Sequence, residues 1–329
     1  MTRKRLGFFT RLLDNAPPKE RYRLATEQIR HAERHGFDSA WIAQHHFHEH
    51  EGGLPSPLLF LAHAAAHTQT IRLGTAIITL PLENPLRVAE DAAVLDLLAD
   101  GRLEIGFGSG GTPTSFLPFG LTIDQRAAVF EESLHLIQSA WRGDSLAHPD
   151  NHLYPPAPQL TERVWIATFS IEGAVRAGRA GHGLMLSRTQ PRPADKPGLR
   201  LDEIQNPIVD AYLDALPAGV APRILASRTA FVADTTAYAL QVATPGLTRQ
   251  AEQHRAAGHA LNGDSVTDYI RQFDAHIGDP QTVLASLEQD SVLPRATDLS
   301  FQVHSVEPSH ADTLRSIELI AGHIAPHIL

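Results

Sequence analysis

A chain of 329 residues that is 43% hydrophobic and 20% charged can bury a large core, which excludes disorder or a membrane span as its dominant character. The formal charge of −9 argues against nucleic-acid binding, because such proteins present a basic face that releases counterions from the phosphate backbone. With no cysteine, disulfides, thiolate zinc centres and cysteine nucleophiles drop out together.

In chain order, Leu6–Thr10 reads as a strand, too short and too soon followed by Arg11 and Asp14 to be a signal h-region; a cytoplasmic protein without a membrane anchor is expected. Lys19–His35 spaces Tyr22, Ala25, Ile29 and Ala32 at helical intervals, and Gly36 follows as a C-terminal cap. Ser39–Gln44 is the second strand, Leu58–His67 a helix, and Ile71–Leu80 a β-branched third strand ending at Pro81. Arg87–Leu98 is the next helix, where Glu90 and Asp91 are placed to orient Arg87. Leu103–Gly108 is the fourth strand, opening into Ser109-Gly110-Gly111, and Gln125–Trp141 is a long helix.

After a proline-rich excursion, Val164–Thr168, Ile171–Ala180 and Gly183–Leu186 resume the strand, helix and strand order. Arg223–Val232 and Thr297–Val303 supply the last two strands, and Ser309–His323 the closing helix. Eight strands alternating with helices predict an α/β chain folded as one TIM (β/α)8 barrel domain over residues 1–329, with insertions after the later strands. An open doubly wound sheet would carry a glycine fingerprint after its first strand, whereas Phe9-Thr10-Arg11 has no glycine. Two stretches exceed a minimal barrel, Thr189–Pro222 and Pro245–Gly278; the second is expected to be a mobile active-site loop.

A barrel of this kind builds its site at the carboxyl ends of the strands. After the second strand stands Gln44-His45-His46-Phe47-His48-Glu49-His50-Glu51. Such a density of imidazole and carboxylate raises a metal site, yet neighbouring residues of an extended chain point in opposite directions, so His45 and His46 do not converge on one ion. No metal is expected, and His31, His35, His135 and His148 read as solvated positions.

The run Phe37-Asp38-Ser39-Ala40-Trp41-Ile42-Ala43-Gln44-His45-His46-Phe47 resembles the second-strand signature of the bacterial luciferase-like flavin monooxygenases. The resemblance continues through Gly74–Pro81, Asn84–Asp91, Leu95–Leu103 and Gly106-Phe107-Gly108, covering roughly residues 5–187 with a weaker echo at Pro280–Leu329. It implies reduced FMN, supplied by a separate flavin reductase, reacting with O2 to oxygenate a small organic substrate. It places His45 beside the isoalloxazine ring as the catalytic acid–base or stabilising group, a task suited to an imidazole that titrates near neutrality. His46 and the segment Thr75-Ala76-Ile77 would contact the cofactor, with a non-prolyl cis peptide between Ala76 and Ile77.

The FMN phosphate calls for small residues and helix-start amides, which Ser109-Gly110-Gly111 and Thr168-Phe169-Ser170 offer. The family often has a basic residue where this chain has Ser109, so Arg176 or Arg188 would substitute. Gln44 replaces an acid typical of light-emitting relatives and Gly108 a bulkier residue, which leaves light emission unsupported. The resemblance also implies a homodimer, to which the apolar Pro57–His67 would contribute. Alternatives on the same barrel are a deazaflavin-dependent hydride-transfer oxidoreductase, a noncatalytic flavin-binding subunit, and a metallohydrolase.

Overall fold

The computed structural model describes residues 3–329 except 194, 197 and 257. Ten parallel strands are present among the described residues: β1 (Arg5–Thr10), β2 (Ser39–Ile42), β3 (Arg72–Thr75), β4 (Ile78–Thr79), β5 (Leu103–Gly108), β6 (Val164–Ala167), β7 (Gly183–Leu186), β8 (Ile224–Val232), β9 (Ala275–Gly278) and β10 (Asp298–Gln302). β10 pairs with both β1 and β8, so the sheet closes on itself through β10-β1-β2-β3-β5-β6-β7-β8. This is the expected eight-stranded TIM barrel.

The helices follow the strands: α1 (Pro18–Arg34), α2 (Pro57–Ala65), α3 (Pro85–Leu98), α4 (Arg126–Arg142), α5 (Ile171–Arg179), α6 (Leu201–Ala215), α7 (Thr236–Ala256), α8 (Val266–Gln272), α9 (Pro280–Leu287), α10 (His310–Leu319) and α11 (Ala325–Ile328). Local sequence explains several ends. Gly36, at φ +80°, follows the last turn of α1, a conformation that costs glycine little. Asn84 caps α3 by accepting from the backbone of Leu86 and Arg87, and Ser170 caps α5 by accepting from Gly173. Arg87 reaches Asp91 at 2.6 Å and also meets Glu90, as the spacing predicts. No described helix is long and apolar enough to cross a membrane.

Side chains alternate along the strands, and the inward set fills the barrel in layers. At the amino-terminal mouth, Arg5 pairs with Asp298 (2.6 Å) and Arg72 with Glu104 (2.7 Å); Trp165 donates its indole N–H to Glu104 (2.7 Å). Above them Trp41 and Trp165 meet edge to face with ring centres 5.6 Å apart. Glycines opposite make room: a Cβ on Gly74 would lie 2.2 Å from Trp41, and one on Gly183 would lie 2.3 Å from Trp165. Phe9, Met185 and Leu225 complete the packing, and Ala76, Ile77 and Ala167 lie over it. The interior is therefore a packed core, and ligands are left the carboxyl-end mouth.

Three expectations are corrected. The third strand is not one run: it breaks at Ala76-Ile77, whose peptide bond is cis, and resumes as β4 against Phe107 and Gly108. Pro245–Gly278 is not a loop, since it holds the second half of α7, all of α8, and β9, which pairs with the projecting end of β8. The Pro245-Gly246 pair reads as a helix breaker, yet α7 runs through it because Ala239, Ala243, Leu247 and Ala251 form a buried stripe. Gly246 belongs to that stripe and lets α7 approach Val306; a Cβ there would lie 2.9 Å from the Val306 carbonyl oxygen. Thr189–Pro222 likewise contains α6; Ala194 and Pro197 within it, and Ala257 in the later stretch, lie outside the described residues.

Candidate active site at the carboxyl-end mouth

The end of β2 is tied to the broken third strand by backbone and side chain together. Ala76 donates its N–H to the Ile42 carbonyl (2.6 Å) and Gln44 donates to that of Ile77 (3.3 Å). The buried Gln44 side chain accepts from Thr79 N–H (2.7 Å) and donates to Glu83 (2.6 Å) and to the Pro55 carbonyl (3.0 Å). Gln44 is thus a structural clamp that turns His45 out over the barrel. Thr75 fixes the other side, its hydroxyl exchanging 2.9 Å hydrogen bonds with the backbone of Gly106.

His45 is half-buried, with its ring against Gly52, where a Cβ would lie 2.4 Å from the imidazole Cδ2. Burial, reinforced by the positive charges of Arg11, Arg188 and His46, drives its pKa down to about 3; this corrects the expectation of a ring that titrates near neutrality, and the ring is uncharged at neutral pH. Its Nδ1 lies 3.7 Å from Glu51, too far for a hydrogen bond, and the Glu51 carboxylate accepts instead from Thr112 (3.2 Å). His46 points the other way, its ring 5.1 Å from that of Phe119, with a buried Nε2 that has no partner.

A second feature lies beside it, after β5 and β6. A cavity of about 200 Å³ between α4 and α5 is lined by Ser109, Thr168, Gly173 and Arg176, among others. Thr168 accepts from Ser170 N–H (3.1 Å), which orders the turn entering α5, and Gly173 sits so close to Thr168 that a Cβ would be 2.1 Å from its hydroxyl. Arg176 is held at the rim by Glu131 (2.9 Å). Hydroxyls, a helix start and one guanidinium are the donor set that a phosphate needs.

The mouth therefore brings together His45, Ala76, Ile77, Thr75, Ser109, Thr168 and Ser170 from separate βα loops. Gly110 supports it from behind at φ +78°, its α-carbon facing Thr79 and Phe116. Gly111 stands in open space, and Phe169 is 56% exposed. The histidine-rich turn does not gather into a metal cluster. Among the described residues, the group whose ligating atoms all lie within 4.8 Å is His31, His35 and Glu318. It sits near the carboxyl ends of α1 and α10, at the opposite mouth, with Arg34 on His31 and Arg315 on Glu318. Sequence reasoning missed Arg11 and Gly52, and named Glu51 only as part of the histidine-rich run; Arg11 directly follows β1, where a filter for residues after strands would find it.

The buried neutral histidines imply a pH dependence. His45 (about 3) and His182 (about 4, by burial) both titrate below the unfolded value of 6.5. A histidine with a depressed folded pKa contributes fully above 6.5, and that contribution is lost as pH falls towards 4, at roughly 1.4 kcal/mol per pH unit for each group. Urea melts at pH 8, 6 and 5 should show stability level down to about 6.5 and falling below it. Equal stability at pH 8 and 5 would contradict the burial of these rings.

Residues 7–293 match the model of the luciferase-like monooxygenases. Among curated relatives, the uncharacterized protein y4vJ of Sinorhizobium fredii is 38% identical over 173 residues, 50% of this chain and 49% of that protein. An F420-dependent glucose-6-phosphate dehydrogenase of Beutenbergia cavernae is 33% identical over 174 residues, 49% of this chain and 51% of that one. The oxygenase component of a flavin-dependent trigonelline monooxygenase of Acinetobacter baylyi is 26% identical over 166 residues, 48% of this chain and 46% of that one. The chain spans about half the length of these curated relatives. The crystal structure of the monooxygenase RslO1 of Streptomyces bottropensis superimposes with a TM-score of 0.77 at 26% identity, over 99% of this chain and 100% of that one. With the family model matched from the first strand to the turn before the last, and the same barrel found in a solved monooxygenase, the chain belongs to the luciferase-like monooxygenase family.

Proposed function

We propose that the protein is the oxygenase half of a two-component FMN-dependent monooxygenase, taking reduced FMN from a separate reductase and using O2 on a small organic substrate. The observation that carries this reading is the juxtaposition, at one mouth, of a small cavity bearing Ser109, Thr168 and the Glu131-paired Arg176 with an apolar bend beside a neutral imidazole. FMN fits that pair. Ser109, Thr168, Arg176 and the start of α5 would hold the phosphate, and Ala76 and Ile77 would back the ring on the side of His45. Reduced FMN, when bound, supplies the electrons that activate O2, one oxygen atom entering the substrate and the other leaving as water. His45, uncharged at neutral pH, accepts a proton at a ring nitrogen and returns it, and the packed layer of Trp41, Trp165 and Met185 keeps water from reaching the site from below.

A relative named as a flavin-dependent oxygenase component supports the need for a reductase partner. A second reading, hydride transfer with a deazaflavin, draws support from the F420-dependent relative. Fluorescence titration separates the two: FMN should bind at least tenfold more tightly than the deazaflavin, and Arg176→Ala should weaken FMN about tenfold through loss of a charge-assisted contact. Selective deazaflavin binding would reverse the choice. We also propose a homodimer through α2 and α3, where Leu59, Leu97 and Leu98 are 75%, 60% and 62% exposed; Leu59 also lines a groove of about 940 Å³ between α1 and α2. A monomeric mass in sedimentation would rule it out.

A further inference from the structure

Two guanidiniums at the mouth have no carboxylate partner among the described residues. Arg11 follows β1 and Arg188 follows β7, so both stand at the carboxyl ends of barrel strands. A guanidinium carries five N–H donors. Arg102 is a buried arginine without a carboxylate, and it spends five hydrogen bonds on the Ala99, Ile71, Ala65 and Thr68 carbonyls and the Thr68 hydroxyl. Arg192 and Arg228 are held by Asp274 and Asp290.

Arg11, by contrast, meets the Glu51 carbonyl with one nitrogen, and its buried Nε has no partner. Arg188 reaches the Thr229 hydroxyl at 3.3 Å. Neither has a carboxylate within ion-pair distance among the described residues. Burial lowers the affinity of both for their protons and the charge of Arg11 adds to this at Arg188, while the more distant Glu51 and Asp274 carboxylates offset it only in part. Two like charges drawn out of water beside an uncharged imidazole are costly without an anion between them. The donor set read above for the FMN phosphate, around Arg176, includes neither of these arginines.

We propose that Arg11 and Arg188 form the seat for a carboxylate on the substrate, which makes the substrate a small organic acid oriented against His45. The proposal rests on the flavin reading of the same mouth. A planar guanidinium fork matches two carboxylate oxygens, so the pair would fix the orientation of the acid as well as attract it.

Calorimetric titration with benzoate, and with benzamide as its neutral counterpart, tests the seat on the whole protein with and without FMN. Benzoate should bind at least tenfold more tightly than benzamide. That preference should vanish in Arg188→Met and fall to an intermediate value in Arg188→Lys, while FMN affinity changes less than twofold. In the same samples, the ¹⁵N resonances of His45 should show its pKa rising when benzoate is bound. No preference for the acid, or an unchanged preference in Arg188→Met, overturns the proposal. Competition between benzoate and FMN also overturns it, by assigning the arginines to the cofactor ring. Benzoate binding with no FMN binding leaves the seat standing and sinks the flavin reading instead.

Discussion

Replacing His45 by glutamine is expected to lower flavin-dependent substrate oxygenation about 10²- to 10⁴-fold, the range that a positioned acid–base group contributes, while FMN affinity stays within a few-fold of the parent. The expectation follows from the position of the ring. It is turned over the barrel mouth by the Gln44 clamp and fixed laterally by Gly52, leaving no room for a second orientation on that side. Gly52→Ala should therefore reproduce much of the loss without touching the imidazole chemically, because the new methyl would have to occupy space now filled by the ring. The pH profile adds a separate check. With the His45 pKa near 3, activity should not fall through a titration near 6.5 that His45→Gln abolishes. An FMN-bound His45→Gln enzyme with parental turnover would remove His45 from the chemistry.

Gly74→Ala should cost about 3 kcal/mol or more of stability, at the upper end of what overpacking a core exacts. Its Cβ would lie 2.2, 2.4 and 2.7 Å from three atoms of the Trp41 ring, which is 1% exposed. Trp41 cannot retreat, since Trp165 meets it edge-on and is itself pressed against Gly183. Gly111→Ala is the matched control: nothing lies within 4 Å of a Cβ there, and the change should stay within about 0.5 kcal/mol. Guanidinium melts of the two variants measure the difference. Equal midpoints would mean that the tryptophan layer has slack that the close contacts do not indicate.

The barrel was legible where periodicity and punctuation agree. β1, β5 and β7 fall close to their expected limits because apolar runs there are bounded by glycine or a polar turn. The stretch from Pro245 was misread because Pro245 and Gly246 carry unfavourable helix propensity, which a buried stripe of small residues in α7 outweighs. β9 was missed because it pairs with the end of β8 that projects beyond the closed barrel, so the eight-strand alternation does not call for it. At the site, His45 and Thr168 are singled out because they follow strands. Gly52 is not, since a ring packed on a glycine leaves no local pattern in sequence; Arg11 is passed over although it follows a strand, because the sequence does not show that its donors go unused.

The most direct measurement is the structure of the protein with FMN bound. Electron density should place the isoalloxazine ring over Ala76 and Ile77 facing His45, and the phosphate against Ser109, Thr168 and Arg176. A flavin seated at the opposite mouth or in the groove beside α2, or a phosphate distant from α5, would contradict the assignment of this mouth as the active site.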